Sequence, residues 1–197
     1  MPGLSDQEIV EILASRPAAR TAMTGAAGEY FVAAELSLRG WLATVTIKNS
    51  PGTDILARKP TTGTMVAIQT KTASYGNNFQ LNKKDETPTA ARNEWYVLVK
   101  LHEEKTRPTF YVVPRNIVAG VAFAQHLEWL SRSRRDGKPH KDTAKRVLLP
   151  AEFSGYEDRW DLLSDLADEA PLLIGAWYAQ CVSEFGLPSG HPGWPSS

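Results

Sequence analysis

The hydrophobic and polar positions of this chain follow two periods, one typical of helices and one typical of strands. Residues 21–39 are rich in Ala, Leu and Glu and end at Gly40, which predicts a helix with a C-terminal stop. Helical spacing also predicts helices at 116–130 and 176–185. Runs of β-branched and aromatic residues predict strands at 41–47, 54–57, 65–71, 95–100 and 109–113. This order predicts an α/β fold, with a central mixed β-sheet flanked by helices and extra helices at the C-terminus.

The predicted helix at 21–39 places an acidic residue beside its apolar face. Its apolar stripe consists of Ala27, Tyr30, Phe31, Ala34 and Leu38. A neighbouring flank is shared by Glu29, Val32, Ala33 and Leu36. The Glu29 carboxylate is therefore expected at the edge of the buried face. Two interpretations stay open at this point, a half-exposed surface carboxylate and a functional group at the helix margin.

Three polar residues are expected to meet on one β-hairpin. Asp54 begins one arm, after a turn at 48–52, and Gln69 lies near the end of the other arm, after a turn at 59–64. Antiparallel pairing of the arms can bring these two residues together. Gln69 and Lys71 are two positions apart, so both side chains leave the same face of the strand.

These residue types suit a site for a hard divalent cation and a phosphodiester. Mg²⁺ prefers oxygen ligands in a near-octahedral array. The available oxygens are the Asp54 carboxylate, the Gln69 side-chain carbonyl, the Thr70 backbone carbonyl and the Glu29 carboxylate, which could act directly or through water. Lys71 could hold or activate an attacking water, or stabilise charge on a phosphate. Surface ion pairing within an ordinary hairpin is the alternative interpretation.

The polar residues above belong to three short motifs, Gly28-Glu29, Gly52-Thr53-Asp54 and Gln69-Thr70-Lys71. Together these motifs resemble the pattern of the PD-(D/E)xK nuclease superfamily. They are similar to the members with a Gln-x-Lys variant. Those members include Mrr-type restriction endonucleases and small bacterial nuclease-like domains close to the archaeal Holliday-junction resolvases. The resemblance covers about residues 21–113 and implies a restriction-endonuclease-like core.

The resemblance also implies roles for individual residues. Those expected to be catalytic are Glu29, Asp54, Gln69 and Lys71. Those expected to bind Mg²⁺ or Mn²⁺ are Asp54, Gln69, Thr70 and Glu29. Gln69 departs from the commonest pattern of the superfamily, because its amide keeps a metal-binding oxygen but removes one negative charge. The affinity for magnesium should therefore be weaker, and Glu29 should matter more.

The charge of the chain is balanced overall but not locally. Lys plus Arg and Asp plus Glu both number 22. A basic segment at 132–146 nevertheless precedes an acidic segment at 152–169. The residues predicted to contact nucleic-acid phosphates are Lys83, Lys84, Arg132, Arg134, Arg135, Lys138, His140, Lys141 and Arg146. A solvated loop is the alternative, and the absence of a base-reading motif leads us to expect recognition of backbone or shape.

The remaining features predict the domain organisation and the location of the protein. Residues 1–150 are assigned to one nuclease-like domain, and residues 151–197 to a helical extension with a Pro/Gly/Ser-rich tail. The single cysteine, Cys181, cannot form an internal disulfide. No apolar run is long enough to cross a bilayer, and the first residues lack the features of a signal peptide. A cytoplasmic location without a membrane partner is therefore expected.

The predicted function is that of a metal-dependent endonuclease, which hydrolyses phosphodiester bonds in DNA with Mg²⁺ or Mn²⁺ as its cofactor. The alternative is a catalytically inactive nuclease-like module that binds nucleic acid or a protein partner, within a restriction, defence or toxin system. Assembly as a homodimer is left open. The two predictions differ in one measurable respect, because only the first requires metal-dependent cleavage.

Overall fold

The computed structural model describes Ser5, Gln7, Glu8 and residues 17–47, 52–103 and 106–193. The predicted C-terminal tail is therefore covered only as far as Gly193, and the turn predicted at 48–52 only at Gly52. The other residues of the tail and of this turn lie outside the described residues. No helix in the described ranges is both long enough and apolar enough to cross a membrane.

The helices with described bounds are α1 (Pro17–Leu38), α2 (Arg115–Ser131) and α3 (Ala176–Phe185). The strands are β1 (Leu42–Val45), β2 (Ile55–Arg58), β3 (Met65–Ala73), β4 (Phe79–Asn82), β5 (Glu94–Lys100), β6 (Thr109–Pro114) and β7 (Lys145–Leu148). Short 3-10 helices cover Lys83–Glu86, Pro150–Tyr156 and Trp160–Ser164.

Five strands form the central sheet, in the order β1-β2-β3-β5-β6. β3 and β5 run parallel and the other neighbours are antiparallel, so the sheet is mixed. α1 packs against β1 and β3, and α2 packs against β5 and β6, which confirms the predicted α/β class with helices around a mixed sheet. β4 and β7 pair separately as an antiparallel ribbon. β4 is absent from the predicted elements, because its four residues gain their strand character from a partner far away in the sequence.

α1 turns a different face to the sheet from the one predicted. Val32 and Leu36 are fully buried. By contrast Tyr30, Phe31 and Leu38, which belong to the apolar stripe, are 68%, 43% and 82% exposed. The prediction that this stripe forms the buried face is therefore wrong.

The reason is a close approach between α1 and β3 at Gly28. A Cβ atom at this position would lie 1.9 Å from Thr72 Oγ1, so a glycine is required for the backbone to come this near. Larger residues of the stripe could not pack at this distance. The flank of α1 that carries Glu29 is consequently the one nearest the sheet.

The C-terminal segment packs into the same hydrophobic core as the sheet. Tyr156 and Leu163 are fully buried, and Trp160 is only 4% exposed. The Tyr156 hydroxyl donates to the Pro171 carbonyl at 2.8 Å and accepts the Leu173 N–H at 3.0 Å. These contacts make residues 150–173 part of the support beneath the sheet.

Candidate active site

The β2–β3 register places Asp54 beside Gln69. Ile55 pairs with Ile68, so the residue before β2 lies opposite Gln69. The Asp54 N–H donates to the Ile68 carbonyl at 2.9 Å, and Asp54 Oδ2 accepts the Thr70 N–H at 2.7 Å. Hydrogen bonds at both the main chain and the side chain therefore fix Asp54 against β3.

Alternate residues of β3 leave opposite faces of the sheet. Thr72 faces α1, where it meets Gly28. Gln69 and Lys71 have the other parity, so their side chains leave the face away from α1. Asp54 lies directly opposite Gln69 in an antiparallel pair, which puts its side chain on this same face. The structure thus brings Asp54, Gln69 and Lys71 onto one surface, which we call the site face.

The amide oxygen of Gln69 is buried and has no hydrogen-bond partner among the described residues. Leaving a buried acceptor unsatisfied costs about 1–3 kcal/mol, so such an atom points to a ligand, an ion or a water. The Thr70 carbonyl is directed to the same side of β3 as the Thr70 N–H, which is the side of Asp54. Two neutral oxygens and one carboxylate therefore belong to neighbouring positions of β2 and β3.

This oxygen set fits a hard divalent cation. Mg²⁺ usually retains several waters and needs only one or two carboxylates from the protein. Within the described ranges, no group of three or more His, Cys, Asp or Glu side chains is placed to hold a metal ion. The set at Asp54, Gln69 and Thr70 differs from such a group, because an amide and a main-chain carbonyl supply two of its oxygens.

Glu29 lies beside an open edge of β3. It is half-buried on α1 and follows the glycine that contacts β3. Because β2 begins opposite Ile68, no β2 residue lies beside β3 from Thr70 onward. Glu29 therefore lies on the helix that packs on the opposite face of β3 from Gln69 and Lys71, and its role in the site stays a prediction.

Two residues that the sequence did not indicate, Tyr96 and Glu94, share the site face. β5 pairs in parallel with β3, and this register puts Tyr96 beside Gln69. Glu94 has the same parity as Tyr96 and lies on the same face. The Tyr96 hydroxyl donates to Asp85 Oδ1 at 3.1 Å. Burial, followed by the charge of Asp85, raises the pKa of Tyr96 far above its ordinary value, so this hydroxyl stays protonated.

Arg115, the first residue of α2, also reaches the site face. Its Nε atom lies 3.2 Å from Glu94 Oε2, and its guanidinium carbon lies 5.9 Å from the centre of the Tyr96 ring. Its Nη1 atom lies 3.6 Å from the position that a Cβ atom would take at Gly52. Arg115 is 61 positions from Asp54 in the sequence, and only the crossing of α2 over the sheet brings them near each other.

The residues predicted to contact phosphates lie mainly on the surface. Those that are exposed are Lys83, Lys84, Arg132, Arg134, Arg135, Lys138 and Lys141. Three of them have carboxylate partners: Lys83 with Asp142, Arg132 with Glu128, and Arg134 with Asp136. The ring of His140 lies 3.9 Å from that of Trp129, a contact that holds the basic segment against α2.

Arg146 is the exception, because it is buried and only 2% exposed. Its guanidinium donates two hydrogen bonds to the Glu86 carboxylate and further hydrogen bonds to the carbonyls of Thr143 and Lys145. The alternation of β7 turns Arg146 inward together with Leu148. The prediction that Arg146 contacts nucleic acid is therefore wrong, and this residue stabilises the interior.

Comparisons with known proteins show a likeness in fold to a solved structure. No family model matches the chain, and a search of curated proteins finds no match either. Among solved structures the chain is similar to the bacterial homing endonuclease I-Ssp6803I, with 14% sequence identity and a TM-score of 0.43. The match covers 73% of this chain and 92% of that chain. At this identity the function of the present site has to be inferred from its own geometry.

Proposed function

We propose that the protein is a metal-dependent endonuclease that hydrolyses phosphodiester bonds in DNA. One observation carries the proposal: the Asp54 carboxylate is fixed by the Thr70 N–H beside the buried amide oxygen of Gln69, which has no hydrogen-bond partner among the described residues. Lys71 leaves the same strand face two positions further on. A metal-binding oxygen set beside a lysine suits phosphodiester hydrolysis, because the ion can polarise the phosphate and the lysine can stabilise its charge.

Asp54, Gln69 and the Thr70 carbonyl would hold Mg²⁺ or Mn²⁺, and Glu29 would complete the set directly or through water. When bound, such an ion polarises a phosphate and makes a nearby water more acidic. Lys71 would orient the attacking water or stabilise the charge that develops on the phosphate. Because Gln69 is neutral, the protein part of this site carries less negative charge than one built from three carboxylates.

The DNA would be held through its backbone. The exposed residues Arg135, Lys138 and Lys141 make no ion pair within the described ranges, so their charges are available to phosphates. Contacts of this kind fix position on a duplex but do not read its sequence. We therefore expect binding that depends strongly on salt concentration and weakly on base sequence.

Cleavage assays on plasmid and branched DNA with Mg²⁺ or Mn²⁺ test this proposal. Asp54→Ala and Lys71→Ala are each expected to reduce the cleavage rate by at least about 100-fold, the scale of a lost proton-transfer group or metal ligand. Met65→Ala is the matched control, since Met65 is exposed on the same face of the same strand. Variants that cleave as fast as the wild type would show that the assignment is wrong.

Calorimetric titration of Mg²⁺ and Mn²⁺ separates an active site from an inactive one. Asp54→Ala is expected to abolish the metal-binding signal. Gln69→Glu restores a third charge, so it is expected to bind Mg²⁺ more tightly and to cleave at lower Mg²⁺ concentration than the wild type. Equal affinities for the wild type and for Asp54→Ala would exclude a metal at this place.

A second candidate is a nucleic-acid-binding module without nuclease activity, and the exposed cations of the basic segment favour it. This function predicts salt-dependent DNA binding without metal-dependent cleavage. Replacing Arg134 and Arg135 together by alanine should then weaken binding more than Asp54→Ala does. The cleavage assay therefore separates the two functions on the wild type, which cuts DNA with a metal ion only under the first, and the binding assay separates them by the effect of the Arg134 and Arg135 replacement.

A further inference from the structure

Arg115 carries hydrogen-bond donors that its surroundings do not use. Its side chain is only 19% exposed, and its Nε atom is buried without a hydrogen-bond partner among the described residues. The nearest acidic atom, Glu94 Oε2, lies 3.2 Å from Nε but outside hydrogen-bonding geometry. Neither Nη atom of Arg115 donates a hydrogen bond within the described ranges. A guanidinium has five N–H donors, so most of this donor capacity is available to an acceptor from outside the chain.

The site face also carries a hydrogen-bond acceptor that lacks a donor among the described residues. Gln69 Oε1 is a buried acceptor that receives no hydrogen bond from the part of the chain that the structure describes. Tyr96 lies between the two groups, because it pairs with Gln69 in the β3–β5 register and has the Arg115 guanidinium 5.9 Å from its ring centre. One group requires a cation or donor, and the other requires an anion or acceptor. A metal ion together with an anionic oxygen ligand satisfies both groups at once.

We propose that Arg115 contacts the phosphate of the DNA that lies at the metal site. The fork of a guanidinium matches two oxygens of a phosphate, which is why arginine is preferred where a phosphate has to be oriented. This inference rests on the proposed nuclease function and extends it, by assigning the group that holds the phosphodiester while Asp54 and Gln69 hold the ion.

The charges on the site face agree with this assignment. Asp54 and Glu94 are acidic, Lys71 and Arg115 are basic, and Gln69 is neutral. With Glu29, which the proposed function adds to the metal ligands, these side chains sum to −1, and a divalent cation would bring the sum to +1, as a phosphodiester anion requires. The guanidinium thus provides positive charge that does not depend on a second metal ion.

Neighbouring residues hold Arg115 in place. Glu94 attracts the Nε edge, and the Nη1 atom lies on the side of Gly52. Tyr96 is itself fixed by Asp85, whose other oxygen accepts the Asn82 N–H at 2.7 Å. Glu94 and Tyr96 are therefore positioning residues, and Arg115 is the residue that would touch the substrate.

Cleavage and metal binding measured on the same variants test the proposal. Arg115→Ala is expected to slow plasmid cleavage by about 100- to 1000-fold, the effect of removing one donor from a developing anion. Its calorimetric affinity for Mn²⁺ should stay within about twofold of the wild type, since a metal ligand is not removed. Arg115→Lys should cleave at a rate between those of the wild type and Arg115→Ala, because it keeps the charge but loses the fork.

Arg58→Ala is the matched control, since Arg58 is exposed at the far end of β2. This variant should cleave at the wild-type rate. Thermal unfolding of each variant shows whether the fold is retained. Wild-type cleavage by both Arg115→Ala and Arg115→Lys would overturn the inference. Loss of Mn²⁺ binding in Arg115→Ala would also overturn it, because Arg115 would then act on the metal site itself.

An NMR titration distinguishes failure of this inference from failure of the nuclease proposal. The side-chain N–H signal of Arg115, assigned by its loss in Arg115→Lys, is followed while thymidylyl-thymidine is added with Mn²⁺ replaced by Ca²⁺. A shift of this signal supports the phosphate contact even if the wild type cleaves no DNA, in which case only the nuclease proposal fails. No shift in a wild type that cleaves DNA overturns the contact alone.

Discussion

Two parts of the basic segment at 132–146, its loop at 138–141 and its end in β7, have different environments although both are basic. Lys138 and Lys141, in the loop, are exposed to solvent. Arg146, in β7, is buried against Glu86, whereas its neighbour Lys145 is exposed. The difference arises because alternate residues of a strand face opposite sides. A run of positive charge is therefore not one functional unit, and each cation has to be assigned by its burial.

The largest effect on stability is expected when the buried ion pair between Arg146 and Glu86 is broken. Arg146→Ala should lower the free energy of unfolding by about 3–5 kcal/mol, because it leaves the Glu86 carboxylate buried without its counter-charge. Denaturant unfolding measures this loss. Lys145→Ala, one position away on the exposed side of β7, should change the stability by less than about 0.5 kcal/mol. Equal losses for the two variants would remove the distinction between them.

Replacing both members of the buried pair should recover much of that loss. In Arg146→Met combined with Glu86→Leu, no charge remains in the interior, and apolar packing takes the place of the ion pair. The double variant should therefore be more stable than Arg146→Ala in the same unfolding experiment. If the losses of the two single variants simply add, the two side chains do not depend on each other.

Substitutions of the exposed loop lysines should weaken DNA binding and leave stability unchanged. Lys138→Ala and Lys141→Ala should each reduce the slope of log affinity against log salt by about one unit if the lysine contacts a phosphate. Fluorescence anisotropy with a labelled duplex at several salt concentrations measures the slope. Arg20→Ala, on the exposed start of α1, is the control and should leave the slope as it is in the wild type.

The smallest effect is expected at Asp142, which lies between Lys141 and Arg146 in the sequence. Hydrogen bonds with His126 and then with Lys83 lower the pKa of its carboxyl from 3.8 to about 2. A carboxyl with a lowered folded-state pKa adds stability that is complete above the unfolded pKa and is lost as the pH falls through the folded value. The extra stability of the wild type over Asp142→Asn should therefore shrink between about pH 4 and pH 2.

Unfolding at a series of acid pH values measures this difference. The contributions of the other carboxyl groups to the pH dependence cancel in this comparison, because the wild type and Asp142→Asn share all of them. A difference that stays constant from neutral pH to about pH 2 would show that Asp142 is not held by these partners in solution.

Local spacing was enough to predict the centre of the candidate site. The hairpin that carries Asp54 and Gln69 closes over a short turn, and its pairing follows from two neighbouring strands. The shared face of Gln69 and Lys71 needs only the two-residue period of a strand. α3 was predicted from helical spacing with the bounds that the structure gives, at 176–185.

Residues brought in by distant pairing could not be found in this way. Tyr96 and Glu94 join the site only through the parallel register of β3 and β5. Arg115 lies on the site face because of the direction in which α2 crosses the sheet, and no local sequence pattern specifies that direction. On α1 the count of large apolar residues indicated the wrong face, because the contact with β3 at Gly28 depends on small size and not on hydrophobicity.

The burial of the C-terminal segment limits how far the chain can be shortened. Trp160 packs its ring 5.4 Å from that of Phe110 in β6, and Arg107 forms ion pairs with both Glu35 of α1 and Asp158. A fragment cut after residue 150 would expose Phe110 and remove one of the two carboxylates that bind Arg107. A shortened form of the chain should therefore keep this segment.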